Sequence, residues 1–247
     1  MKIIITGAGG FIGKNLIEVL EKTKRHEILA FGRADGPDLL EDYTKECEFV
    51  FHLAAVHRPV DEAEFEKVNR LFFADFLARL RKHSNRSPVV LPSSIQAGTG
   101  TAYGRSKLAA EKALNEHAAM MRSRAIIYRL TNTFGRYARP NSHSVVATFC
   151  YNIARGLPIV ISDTQRRMKF YYINDVIASF LLQIDSRPEP DQDGFYRLPA
   201  ELEYEITLEE LAEKIYSFKA NLDKGLKPVL DDKFSKKLYE TYLSYLP

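Results

Sequence analysis

Cysteine is scarce in this 247-residue chain, with Cys47 and Cys150 its only two thiols. Thiols that far apart build neither a disulfide framework nor a zinc site, which points to a reducing compartment. No His/Cys cluster has metal-ligand spacing, so no metal is expected. Charge imbalance is also small, with 35 Lys and Arg against 32 Asp and Glu for a net +3. The basic residues are scattered, so neither nucleic acid nor a membrane is an expected partner. No apolar run approaches the roughly 18 residues of a membrane span. The N-terminus does not read as a signal peptide, because Gly7, Gly9, Gly10 and Gly13 break up any apolar core. Internal repeats, low-complexity tracts and clear linkers are missing too. What is present is 45% hydrophobic residues, enough for a sizeable core. The expectation is a soluble cytoplasmic protein, either one α/β domain or a domain with a small lobe.

The most informative stretch is the first thirteen residues, MKIIITGAGGFIG. Ile3 to Ile5 is an apolar run of the length of a buried strand, and Phe11, Ile12, Leu16, Ile17 and Leu20 recur at helical spacing. Between them lie Gly7, Gly10 and Gly13. A strand–glycine turn–helix unit lets the backbone approach a pyrophosphate, and the helix start offers free N–H groups to the anion. A turn that simply needs positive φ would collect the same glycines. His26 to Phe31 reads as a second strand, and Arg33 follows it. An arginine at that place suits the 2′-phosphate of NADP, where an acid would hold the ribose of NAD. A solvated loop arginine is the other reading. Glu48 to Ala55 is a third strand, and Leu53, Ala54 and Ala55 at its end leave room for a cofactor to pass over the backbone. His52 and His57 flank that end and are read as packed residues rather than catalysts. Glu62 to His83 has the spacing of a long buried helix, with Asn69 as a polar residue in need of a partner.

Val89 to Leu91 predicts the next strand, with Ser94 just beyond it. Then Tyr103 and Lys107 stand four apart at the start of a helix, and so on one face. A nearby ammonium is expected to lower the Tyr103 phenol from about 10 towards neutrality, where it can transfer a proton. Ser94 supplies a hydroxyl for a substrate carbonyl. Downstream, Ala125–Arg129 and Pro158–Ile161 are expected as strands and Leu130–Gly135 as a loop. Helices are expected over Val145–Arg155 and over Val176–Ile184, the latter capped by Asn174 or Asp175. Two more are expected, one from a capping box at Thr207–Glu210 and one over Asp232–Leu246. Residues 1–130 then form mainly a nucleotide-binding part, and 131–247 a smaller substrate-binding lobe.

TGAGGFIG, Ser94, Tyr103-x-x-x-Lys107 and RLTNTFG together resemble the extended short-chain dehydrogenase/reductases, over nearly the whole chain. That family is rich in nucleotide-sugar epimerases, dehydratases and reductases. The stretches HRP, SSIQA, SVVATFCYNIARG and LYETYLSYLP narrow the likeness to reductases of bacterial capsular-polysaccharide synthesis. The resemblance implies a Rossmann-type doubly wound parallel sheet and a smaller C-terminal substrate lobe. It implies NADPH-dependent reduction of a 4-keto UDP-2-acetamido-2,6-dideoxy-hexose on the way to UDP-N-acetyl-L-fucosamine. It assigns Gly7, Gly10 and Gly13, with Phe11 and Ile12, to the pyrophosphate turn, and Arg33 to the 2′-phosphate. Tyr103 would give the proton, Lys107 would hold the nicotinamide ribose, and Ser94 would steady the carbonyl. Asn132 would contact the nucleotide-sugar, and Asn69 would support the site. The position that often carries a pyrophosphate-binding arginine is Met168 here, with Arg166 and Arg167 just upstream. The interval from Ser94 to Tyr103 is short for the family. A homodimer is the family habit. Members of the narrower group continue into a metal-binding cupin domain, and this chain ends at Pro247 without one. Two alternatives stay open: an epimerase or dehydratase that retains NAD, and a non-catalytic dinucleotide sensor or scaffold on the same fold.

Overall fold

The structure, a computed structural model, describes residues 1–247. It divides into two compact units, Met1–Leu130 with Ser179–Arg197, and Thr131–Ala178 with Leu198–Pro247. The chain's return to the first unit after residue 178 has no counterpart in the sequence signals, which show no break inside that helix.

The first unit is built on five strands, β1 (Lys2–Thr6), β2 (Glu27–Phe31), β3 (Phe49–His52), β4 (Val89–Ser94) and β5 (Ala125–Leu130). They form one sheet in the order β2-β1-β3-β4-β5, and every neighbouring pair is parallel. Successive side chains on a strand point to opposite faces, and both faces here are covered, so the strands read as continuous apolar runs. On one face Ile4 and Val50 join a buried cluster with Phe73, Phe76, Leu77 and Leu80. On the other, Phe51 stacks on Phe180 at 6.0 Å. The helices of this unit include α1 (Phe11–Thr23), α2 (Pro37–Glu46), α3 (Phe73–Lys82) and α4 (Ala102–Met121). The helix expected over 62–83 is therefore not uniform, since Phe65–Phe72 is wound as a π-helix before α3 begins. It is not wholly buried either, because Leu71 is half exposed.

The second unit has a three-stranded sheet. β6 (Asn132–Phe134) runs parallel to β7 (Arg167–Tyr172), which pairs antiparallel with β8 (Glu203–Thr207). Helices α5 (Val145–Ala154), α7 (Leu208–Asp223) and α8 (Lys233–Leu243) pack on one another. Phe134 centres the core, within 5.3 Å of Tyr172 and 5.6 Å of Phe234 by ring centroids. The capping box at Thr207 forms as expected, with both reciprocal bonds. Three readings are corrected and one strand was not foreseen. No strand forms over 158–161, and the loop expected at 130–135 contains β6. Strand β8 had no strong apolar alternation to announce it. Helix α6 (Ile173–Asp185) starts earlier than expected, so Asn174 and Asp175 lie inside its first turn. Their side chains are engaged by Tyr172 and Lys237 instead of capping.

Candidate active site

Strand order alone places a crevice at the carboxyl ends of β1 and β3, because the chain leaves β1 in opposite directions on its two sides. Gly7 opens that crevice with φ +67, and a Cβ there would stand 2.7 Å from the Ala54 nitrogen. The turn requires glycine twice over, for its dihedral and for the close pass of β3's end. Gly13, in the first turn of α1, faces the same constraint: its Cβ would lie 2.4 Å from the Gly7 carbonyl oxygen. The turn is tied by a bond from Gly10 N to Gly7 O at 2.9 Å. No side chain caps α1, so the amides of its first turn, Phe11 and Ile12 included, keep their donor capacity for an anion. Leu53 and Ala54 are fixed from β1, through Leu53 N to Thr6 O (3.1 Å) and Ala54 N to Thr6 Oγ1 (3.3 Å). Thr6 Oγ1 also meets His52 Nδ1 at 3.1 Å. His52 is packed among Phe72, Phe73 and Phe76, and burial lowers its pKa to about 3. It is the packed, neutral histidine expected. This uncapped, Cβ-free cradle fits the diphosphate of a dinucleotide. Arg33, beyond β2, is exposed and makes no hydrogen bond or ion pair, while the Asp35 carboxylate accepts Gly32 N at 2.7 Å.

Ser94, Tyr103 and Lys107 come together at the carboxyl end of β4. Thr101 caps α4 by accepting Gly104 N at 3.0 Å, and the helix presents Tyr103 and Lys107 on one face. Lys107 is buried, and its ammonium donates to the Pro92 carbonyl at 2.8 Å rather than to the phenol. Its Nζ lies 6.0 Å from the Tyr103 ring centroid. Burial lowers the Lys107 pKa to about 8, against an opposing pull from Glu111. The expectation that Lys107 would lower the phenol is corrected: the Tyr103 pKa is raised, by burial first, with the Ser94 hydroxyl pulling less strongly downward. The short link from Ser94 is closed by turns, Ala97 N to Ser94 O at 2.9 Å and Thr99 N to Gln96 O at 3.0 Å.

Asn69 finds the partners its burial demands. Its amide exchanges bonds with both backbone groups of Val56, at 2.8 and 3.0 Å, and donates to Ser106 Oγ at 3.0 Å. The π-helix carries it, a deviation that recurs at functional sites. Two features escaped the sequence reading. Glu111, four residues beyond Lys107, accepts from Ser93 Oγ and, with its two oxygens, from Nε and one Nη along one edge of the Arg129 guanidinium; continuing the i+4 row from Tyr103 would have found it. His57 packs edge-on against Tyr103 with centroids 4.5 Å apart. His57, Arg58, Glu62, Gln96 and Thr101 line a cleft with that tyrosine.

The remaining candidates belong to the second unit. Asn132 is exposed, and its amide donates to the Lys169 carbonyl at 3.1 Å. Arg167 is held by Glu205 at 2.8 Å, whereas the exposed Arg166 side chain has no partner. Among adjacent arginines, only Arg166 has its guanidinium uncommitted.

Residues 3–196 match the profile of the NAD dependent epimerase/dehydratase family. Over 247 residues the chain is 35% identical to a UDP-2-acetamido-2,6-beta-L-arabino-hexul-4-ose reductase of Pseudomonas aeruginosa, covering all of this chain and 65% of that protein. It superposes on the capsular polysaccharide assembling protein CapF of Staphylococcus aureus with a TM-score of 0.88 at 36% identity, covering 100% of this chain and 65% of the other. The chain thus spans just under two thirds of these relatives. A UDP-glucose 4-epimerase of Thermotoga maritima, at 17% identity, shares the fold with a TM-score of 0.79 over 99% of this chain and 98% of the other.

Proposed function

The chain belongs to the NAD dependent epimerase/dehydratase family, and on that premise we propose that it is an NADPH-dependent nucleotide-sugar reductase. Its substrate would be a 4-keto UDP-2-acetamido-2,6-dideoxy-hexose, in the synthesis of a capsular or O-antigen polysaccharide. One observation carries the reading: the Tyr103 phenol stands beside the buried Ser94 hydroxyl, with the buried Lys107 ammonium 6.0 Å from its ring centroid. Reducing a ketone to an alcohol consumes one hydride and one proton. A phenol kept protonated is loaded to give that proton, whereas a base that starts by oxidising a sugar must first be ionised.

The bound dinucleotide supplies the hydride. This chain's own groups do the rest. The Gly7–Gly13 turn and the open start of α1 hold the diphosphate. Arg33 offers a planar, permanently charged fork to a 2′-phosphate. Ser94 donates to the C4 carbonyl oxygen, Tyr103 releases its proton there, and the Lys107 charge steadies the phenolate left behind. Asn132 and Arg166 in the second unit are proposed to contact the nucleotide-sugar, Arg166 in preference to Arg167 because Glu205 already occupies the latter. The 35% identity to a reductase of this chemistry supports the substrate class. The test is NADPH oxidation with the 4-keto UDP-sugar generated by an upstream dehydratase, run beside NADH. Keto-sugar-dependent oxidation selective for NADPH is the expected result. Oxidation with neither nucleotide, although NADPH binds, would transfer the reading to a dinucleotide sensor.

A further inference from the structure

The partner four residues along α4 does not hold the Tyr103 ring, since the Lys107 ammonium is directed to Pro92. A tyrosine side chain turns about two bonds, and proton delivery needs its oxygen placed to within a fraction of an ångström. Ser94 engages the Tyr103 hydroxyl, and two aromatic rings bear on the plane of the ring itself. His57 meets the Tyr103 ring at 4.5 Å and 72°, and Phe65 meets it at 5.9 Å and 51°. His57 lies in the loop after β3, and that loop is tied down. The bonds from Asn69 to both backbone groups of Val56 fix the residue preceding His57. The same amide reaches Ser106, whose hydroxyl donates to the Tyr103 carbonyl at 2.8 Å. One buried side chain thus ties the backbone at Val56, one residue before His57, and, through one hydroxyl, the backbone of Tyr103.

We propose that His57 is a positioning residue for the reduction, a ring that fixes the plane of Tyr103 so that its hydroxyl meets the substrate oxygen in one orientation. The inference rests on the reductase reading for its effect on rate, but the clamp itself can be read without catalysis. An edge-to-face pair favours one mutual orientation over the others, and any flat ring of similar size can supply it. The imidazole is therefore required for its shape, and phenylalanine should substitute for it where alanine cannot.

The experiment compares wild type, His57→Ala and His57→Phe by relaxation of ¹³C-labelled tyrosine rings, with Tyr103→Phe assigning the signal. Keto-sugar reduction is measured in parallel. His57→Ala is expected to lower the order of the Tyr103 ring and to reduce kcat roughly 10–100-fold with the NADPH KM unchanged. His57→Phe is expected to restore ring order and bring kcat to within a few-fold of wild type. An unchanged ring order in His57→Ala overturns the inference. So does an unchanged kcat alongside a loosened ring, or a failure of His57→Phe to rescue. A Tyr103 ring that loosens in His57→Ala while the wild type itself reduces no keto-sugar would refute the reductase reading and leave the clamp in place.

Discussion

At the carboxyl edge of the first unit's sheet, ionisable groups lie inside the protein. Lys107 is 6% exposed and Glu111 only 2%, and both are pinned by short bonds to backbone or to Arg129. The second unit keeps comparable charges in water, where Arg167 meets Glu205 and Lys169 meets Glu203 across β7 and β8 with side chains mostly half exposed. The Glu111–Arg129 pair and the two β7–β8 pairs close at about the same separation, and burial makes them physically different. In water such a pair gains little over its solvated halves. Inside, each charge has lost its hydration, so removing one partner strands the other. The first unit therefore carries these charges in single, expensive geometries. The second carries a solvated charge ladder that does not need one geometry.

Five substitutions and one titration test that contrast. Tyr103→Phe should show the largest effect, a loss of keto-sugar reduction of roughly 10²–10⁴-fold, with melting temperature and NADPH binding kept. Retained turnover would remove Tyr103 as the proton donor. Gly13→Ala comes next, because its Cβ would lie 2.4 Å from the Gly7 carbonyl oxygen. Dinucleotide binding measured by titration should weaken by at least about tenfold. Gly9→Ala, with nothing within 4 Å of its Cβ, should bind as wild type does. Glu111→Ala strands the Arg129 guanidinium and the Ser93 hydroxyl, and should destabilise the fold by about 3 kcal/mol in denaturant titration. This is the low end for a buried pair, because Arg129 keeps 30% exposure. The matching Glu205→Ala in the second unit should leave the melting curve where it was, and equal losses would erase the contrast. The smallest effect is a titration. Below about 8 the Lys107 ammonium persists and steadies the phenolate; above that it is neutral. The rate of reduction should therefore decline by one proton's slope as pH rises through about 8, and a profile flat to about 9 would detach Lys107 from that role.

The strand–glycine turn–helix unit and the Tyr103–Lys107 face were legible in the sequence because their signals lie within a few residues of one another. Gly7 and Gly13 are fixed by the two residues each would strike, and Tyr103 and Lys107 by helical spacing. Strand β1, with three consecutive isoleucines, could not be read otherwise. Less legible were relations between distant segments. Nothing in the sequence near residue 57 tells that its ring meets residue 103, or that Asn69 sits on a π-helix bridging both. The phenol's pKa was misjudged for the same reason: i+4 spacing gives which face a side chain leaves from, not whether it ends at a phenol or at the Pro92 carbonyl. In the second unit short strands without clean alternation, β6 and β8, are stabilised by pairing with β7 rather than by any pattern of their own.

The most direct test of the account is the protonation of Tyr103 itself. In ¹³C-tyrosine-labelled protein, the Cζ resonance assigned through Tyr103→Phe would be followed against pH. The account predicts a phenol that stays protonated through neutrality and titrates above its ordinary value near 10. A midpoint near 7 would contradict it, and would describe a base poised to oxidise a sugar rather than an acid poised to complete a reduction.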